Sequence, residues 1–518
     1  MTRLPARGLA LLVLLAASPA SRATASAPGV SAPDARTPDA PMMVVSAEGR
    51  ARLEAGRAAL YNFRLDEARR HFRALGALEP ASPAAAYQLA TVAFWTALTR
   101  EDPDAYDRFH ALNDSLRTVL AGVPASPWRT HIEGEMHLQR AAVLARQERY
   151  ARAGTAFRDA CAQFRSNTRG TQPFAESLAG LGACQVAAGA IPRRYRWVAR
   201  LFGFSGTVPQ GMAALERAAE TATFNRAEAA IGLAFVDAAL NDHRGGKHVY
   251  AVRVAEAYPE SPLVGMIYGS MLLTAREAAR AEAVLAQALA QTRRPGVDAL
   301  PYLEAQLGIA RMRLGRYAEA AAHFETYTRT YRGQAMVAQT TLLAGVAREL
   351  AGDRRAAEAH YRRVRSSRDF DADRSAVREA ARRLEHPMTP AERALLVGTH
   401  AFDAGRYDEA VRTFQSVLGH AQASADERAE AAFRTGRAYQ ALANYPEAVR
   451  HYELAIGLPA DPQARWGPWS HYHIGEVREL EGNFAEARRI YRQVLANESD
   501  FDYAQALEQR ARAALDRL

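Results

Sequence analysis

The chain reads as an all-α protein, an α-solenoid of antiparallel helix hairpins forming a right-handed superhelix. Three observations predict it. Two small residues recur twelve places apart with an aromatic ring four further on: Gly308/Ala320/Phe324, Gly345/Ala357/Tyr361, Gly398/Ala410/Phe414, Gly436/Ala448/Tyr452, Gly475/Ala487/Tyr491 and, near the front, Gly56/Ala68/Phe72. The glycines at 269, 308 and 345 lie 39 and 37 apart, and those at 398, 436 and 475 lie 38 and 39 apart, periods that mark a repeat array. Hydrophobic content of 48% and charged content of 24% are those of a folded chain, and a core growing along one axis accommodates 518 residues.

At the N-terminus Arg3 and Arg7 precede the apolar run 9–17, too short to cross a bilayer, and Ala23-Thr24-Ala25 supplies a small-residue cleavage pattern. Residues 1–25 are therefore expected to be a signal peptide cut after Ala25 or Ala20, sending the mature chain to the periplasm or outside the cell. Cleavage after Ala25 removes Arg3, Arg7 and Arg22 and no acid, which lowers the net charge from +9 to +6. No cysteine follows the run to carry a lipid, and no later stretch has the length of a transmembrane helix. Peripheral membrane association stays open. Residues 26–46, rich in Ala, Pro, Ser and Asp without periodicity, read as a flexible leader.

Helix follows helix from Ala47 onward. Residues 50–62 and 65–75 make the first hairpin, stopped by Pro80. Such a pair closes only if its helices approach tightly, which requires the small residues; the ring one turn beyond the second of them is expected to fill the gap to the next unit. Ala141/Ala153/Phe157 is a variant with alanine in the glycine position, and Gly269/Ala281/Leu285 lacks the ring. Two stretches break the period. Fifty-three residues separate Gly345 from Gly398, room for an extra helix around 374–384, after which Pro387 and Pro390 mark a joint. The run from Ile191 to Gly211 is a bulky insert. The expected organisation is a solenoid over 47–386 with an irregular insert near 191–211, then C-terminal repeats over 387–518 ending in a capping helix.

The pattern resembles the tetratricopeptide repeat family, whose consensus has the same two small residues, trailing aromatic and acid-then-alanine step. That step stands here as Asp66-Glu67-Ala68, Ala318-Glu319-Ala320, Asp408-Glu409-Ala410 and Pro446-Glu447-Ala448. Residues 174–365 also resemble the tetratricopeptide repeat protein 39 and inclusion-body clearance family, through Ile191-Pro192-Arg193, Gly203-Phe204-Ser205-Gly206, Gly211 and Tyr258-Pro259-Glu260-Ser261-Pro262. Those relatives are intracellular proteins of lipid-droplet or mitochondrial surfaces, or adaptors. This chain departs from them by its export signal, so the resemblance implies the fold alone.

Catalytic and metal chemistry find little support. His131 and His137 are six apart, about 120° from sharing a helical face, and His471 and His473 point in different directions. His473 and Glu476 can share a face, but one pair is not a site. Neither H-E-x-x-H, G-x-S-x-G nor a phosphate-loop spacing occurs, so no catalytic residue, cofactor or metal is expected. Of the 66 basic residues only Lys247 is lysine, a usage that reads as codon bias, and no run of five like charges points to nucleic acid. Export makes a bond between Cys161 and Cys184 chemically open. With the turn placed near Ser166–Gln172 the two sit about 9–10 Å out of register, so buried free thiols are expected.

What such a fold offers is a groove lined by first helices, at positions six and three before the small residue and one and four after it. In the last three repeats these are Glu392, Leu395, Thr399 and Phe402; Glu430, Phe433, Arg437 and Gln440; and Trp469, Tyr472, Glu476 and Glu479. Aromatic, arginine and acidic groups in one lining suit an extended peptide or amphipathic helix; the alternative for Phe433 and Tyr472 is packing between repeats. The expected function is therefore an exported, non-catalytic scaffold for a protein or peptide. A glycan- or lipid-binding module using Trp466, Trp469, Tyr472 and His473 is the alternative, and an enzyme with acids hidden among ordinary helical charges is the remote one.

Overall fold

The computed structural model describes residues 41–191, 203, 205–241, 248–366, 371–461, 464–496, 501 and 504–518. Among them are twenty-four α-helices and no strand, so the all-α reading holds. The signal peptide and residues 26–40 of the leader lie outside the described residues, as do positions 192–202 and 204 of the insert.

The chain divides into two compact units. Among the described residues, the first comprises those within 41–275, 283–306 and 326–337, and the second those within 276–282, 307–325 and 338–518. In the first unit, α1 (Ala47–Tyr61) pairs with α2 (Leu65–Leu78), α3 (Ala84–Arg100) with α4 (Pro103–Ala121), and α5 (Pro127–Arg146) with α6 (Tyr150–Asn167). Next come α7 (Ser177–Gly189), α8 (Val208–Thr221), α9 (Arg226–Asn241), α10 (His248–Ala257) and α11 (Pro262–Thr274). The chain then runs through α12 (Ala278–Gln291), α13 (Tyr302–Arg313) and α14 (Tyr317–Thr330). The second unit continues with α15 (Val337–Leu350), α16 (Arg354–Tyr361), α17 (Asp371–Glu385) and α18 (Pro390–Asp403). It ends with α19 (Tyr407–Leu418), α20 (Ala425–Ala441), α21 (Tyr445–Gly457), α22 (Trp466–Leu480), α23 (Phe484–Ala496) and α24 (Ala504–Arg517). The extra helix expected around 374–384 is α17, and the Pro387–Pro390 break falls inside the second unit.

Local chemistry starts these helices. Ser46, Asp102, Ser126, Ser261 and Thr389 each accept a hydrogen bond from a first-turn backbone N–H, and proline stands in the first turn after the last four. Ser424 and Glu427 form a reciprocal capping box at α20. The hairpin turn is equally regular. Seven residues after the small residue of each set the backbone turns left-handed, at Phe63, Glu148, Arg276, Gly315, Gly352, Gly405, Ala443 and Gly482. Four of these are glycine, which enters that region freely; the other four accept a local cost. Because Glu148 keeps the register, Ala141/Ala153/Phe157 is a true member of the series.

The close approach is set within each hairpin. A Cβ built on Gly56, Gly308, Gly345, Gly398, Gly436 or Gly475 would come within 3.0 Å of the ring sixteen residues on. The ring therefore lies across the glycine of its own hairpin, which corrects the expectation that it chiefly fills the gap to the next. Leu285 does the same over Gly269. One interlock was not legible in the period: Phe164 of α6 wedges between Gly134 of α5 and Gly180 of α7, each of which would collide with it as alanine.

Beside it, Cys161 and Cys184 are joined in a disulfide with Cα atoms 5.8 Å apart, overturning the expectation of free thiols. The connection between α6 and α7 spans residues 168–176 and is centred near position 172, about three residues later than the turn assumed from sequence. That shift brings the two cysteines level across the hairpin.

The first unit has an unusually polar interior. Arg57 is 1% exposed and its guanidinium lies 3.6 Å above the Phe224 ring, while its Nη2 donates to the Phe224 carbonyl at 3.0 Å. Tyr61 donates to Glu228, and His131 and Glu135, one turn apart on α5, are also buried. The Glu176 carboxylate accepts from the N–H groups of Thr223, Phe224 and Asn225 and so fixes the entry to α9.

Candidate partner-binding site

The residues expected to line the groove belong to α18, α20 and α22 of the second unit. In two of these repeats the second helix supplies a tyrosine, and its hydroxyl is met by the residue four after the glycine. Tyr452 donates to Gln440 Oε1 at 2.6 Å and Tyr491 to Glu479 Oε2 at 2.8 Å; upstream, Tyr361 donates to Glu349 Oε2 at 2.6 Å. Where the ring is phenylalanine, the same position is apolar: Leu60 with Phe72, Met312 with Phe324, Phe402 with Phe414. A buried hydroxyl needs an acceptor, and a bare ring needs none.

Gln440 and Glu479 thus face their own second helices as well as the surface. Burial pushes the Glu479 carboxyl up, but hydrogen bonds from Arg517 and Tyr491 outweigh it and hold it below the usual carboxylate range. Four other expected residues are buried: Leu395 at 5%, Phe433 at 9%, Tyr472 at 3% and Glu476 at 9% exposure. Phe433 packs 6.1 Å from the Tyr452 ring and 5.5 Å from Trp466, and Tyr472 lies 5.5 Å from Tyr491, so both pack between helices. Glu476 accepts from Tyr472 at 3.2 Å and pairs with His473 Nδ1 at 2.6 Å, the shared face that their spacing implies. Burial, then the charge of Arg437, depresses His473 to about 4 against the pull of Glu476.

The half-exposed members are Glu392, Thr399, Phe402, Glu430, Arg437, Gln440, Trp469 and Glu479. The Arg437 guanidinium stands 5.9 Å from the Phe402 ring centre and 3.2 Å from His473 Nε2, and Arg276 caps the same ring at 4.7 Å. Arg465 and Arg434 lie over Trp466 at 4.6 and 5.6 Å, and Arg510 over Trp469 at 5.5 Å. The aromatic corner is therefore clasped by guanidiniums, with Tyr472 and His473 buried beneath it. Among the described residues no three His, Cys, Asp or Glu side chains gather as metal ligands, and no helix is long and apolar enough to cross a membrane.

A second opening was not legible in the sequence. It is a cleft of about 540 Å³ in the first unit, lined by His110 and Arg117 of α4, His137, Arg140 and Leu144 of α5, and Arg149, Arg152, Thr155, Ala156 and Asp159 at and within α6. Only the three-residue spacing of Arg149 and Arg152 hints at it in the sequence.

Tetratricopeptide repeat models match residues 395–465 and 469–500, so the chain carries tetratricopeptide repeats in the region of the candidate groove. Comparison with curated proteins gives no match. Similar solved structures include the APC/C hetero-tetramer Cut9-Hcn1, 13% identical, covering 90% of this chain and 97% of that one with a TM-score of 0.25. A human IFIT1 dimer with PPP-AAAA is 16% identical, covering 80% and 91% with a TM-score of 0.37. The TPR2AB-domain:pHSP90 complex of yeast Sti1 is 17% identical, covering 49% and 98% with a TM-score of 0.21.

Proposed function

We propose that this chain is an exported, non-catalytic scaffold that holds a protein or peptide partner on the first-helix face of its C-terminal repeats. The observation that carries the reading is the half-exposed row of Phe402, Arg437 and Trp469, each braced from behind. Arg437 rests against His473, which is itself bound to Glu476, and Gln440 and Glu479 are tied to the tyrosines beneath them. Side chains ordered in advance lose little entropy when a partner binds, and aromatic and arginine anchors dominate such interfaces. Export is supported by the arginine-flanked apolar run with its small-residue cleavage pattern, and by a disulfide of the kind that persists in oxidising compartments.

The test is affinity capture from envelope extract with mature chain 26–518, against an Arg437→Glu/Trp469→Ala variant. A protein retained by the first and lost from the second, at equal melting temperature, supports the reading. Equal capture by both removes these residues from the interface. Recovery of the chain from the cytoplasmic fraction alone ends the export proposal.

A further inference from the structure

We infer that the cleft between α4, α5 and α6 is a second site, one that receives an acidic peptide segment through Arg117, Arg140, Arg149 and Arg152. This rests on the scaffold reading above and adds the chemistry of what is bound. The volume, about 540 Å³, is that of a ligand site rather than a packing defect. Four guanidiniums line it, and the acids nearby occupy only part of their capacity. Asp114 pairs with Arg117 at 3.3 Å and Arg140 at 2.6 Å, and Asp159 pairs with Arg158 at 3.0 Å. Arg149 and Arg152 are exposed and make no ion pair among the described residues, so both forks stay open to an incoming carboxylate.

The histidines do not supply the charge. His110 Nε2 is engaged with Gln147 Oε1 at 2.9 Å, and burial pushes His137 below its ordinary value. Buried Leu144 and Ala156 give the cleft an apolar floor for a peptide's carbon skeleton. An adjoining opening of about 400 Å³ shares Arg149 and Arg152 and includes Tyr150, which extends the track along the start of α6. A peptide fits better than a nucleic acid. Asp114, Glu148 and Asp159 interrupt the cationic surface and oppose a continuous phosphate backbone, whereas a peptide can present carboxylates only where the guanidiniums stand. The helices concerned include α4 and α6, the second helices of their hairpins, so this is not the first-helix face considered above.

The experiment is fluorescence anisotropy of labelled hexaglutamate with chain 26–518. Saturable binding is expected, screened by about 0.5 M salt and absent for hexaserine. Arg149→Glu/Arg152→Glu should weaken it about tenfold or more without moving the melting temperature, because both side chains are exposed, and the double lysine variant should recover part of the loss. No hexaglutamate binding, equal binding by the glutamate variant, or displacement by equimolar inorganic phosphate would overturn the assignment. Tighter binding of a hexauridine oligonucleotide would overturn it in favour of nucleic acid. The Arg437→Glu/Trp469→Ala variant should bind hexaglutamate normally. If it does while the capture experiment fails, the C-terminal reading falls and the cleft stands; the reverse pattern removes the cleft alone.

Discussion

Arg57 and Arg437 occupy the same station, one residue after the glycine of their repeats, yet they live in different media. Arg57, in the first unit, is 1% exposed, pressed on Phe224 and surrounded by Tyr61, Glu228 and Glu176. Arg437, in the second, is half-exposed, with a histidine behind it and a phenylalanine ring beside it. The repeat register fixes the direction of a side chain from its backbone. What covers it is decided elsewhere in the sequence, for Arg57 by the segment entering α9. Equivalent positions are thus equivalent in geometry and not in energetics.

The sharpest way to break this comparison is to truncate both arginines. Arg57→Ala should cost about 3–5 kcal/mol in urea unfolding, because it leaves a void and removes the cation facing buried Glu228. Arg437→Ala should cost less than about 1 kcal/mol, as a half-exposed group does. Equal losses would show that exposure is not what separates them.

The pH dependence should follow the polar interior of the first unit. Burial, then the charge of Glu228, raises Glu135 to about 8, and burial raises Glu228 to about 7 against the pull of Arg57. Each carboxyl holds its proton in the folded chain above the pH at which the unfolded chain releases it. Stability is therefore full below about pH 4.5 for these groups and declines as pH rises to about 8, at about 1.4 kcal/mol per pH unit for each carboxyl that stays protonated only in the folded chain. Melting temperature against pH should show the decline, and Glu135→Gln should flatten it; an unchanged slope would exclude Glu135 as the source.

Smaller effects test the hairpin itself. Gly436→Ala places a Cβ 2.7 Å from the Tyr452 ring and should cost about 1–3 kcal/mol by chemical denaturation. Tyr452→Phe strands Gln440 Oε1 and should cost about 1 kcal/mol, with Gln440→Leu in the same chain recovering part of it. Ala443→Gly, at φ 57°, should stabilise by about 0.5–1 kcal/mol, the one change here expected to raise the melting temperature.

The hairpin series was legible because tight helix contact admits so few side chains: a glycine, an alanine and a ring at fixed offsets announce one geometry. The left-handed station seven residues on emerged only from the structure: glycine holds it at Gly315, Gly352, Gly405 and Gly482, but Phe63, Glu148, Arg276 and Ala443 break any residue pattern there. The disulfide was missed because pairing across a hairpin depends on the centre of its connection, which no periodicity reports. The groove was legible only in part. Phe433, Tyr472 and Glu476 carry the right chemistry at the expected offsets, but their burial depends on the neighbouring repeat. The arginine cleft needs three helices brought together, a coincidence invisible along one chain.

The hydroxyl of Tyr361, Tyr452 or Tyr491 carries a consequence for how such an array diversifies. Each one spoken for by Glu349, Gln440 or Glu479 leaves that first-helix station constrained, since losing the acceptor strands a buried oxygen. Repeats built on phenylalanine impose no such debt, and Phe402 shows the freedom in use. Gain or loss of a single oxygen atom in the second helix thereby sets which stations along the first are at liberty to acquire a new ligand.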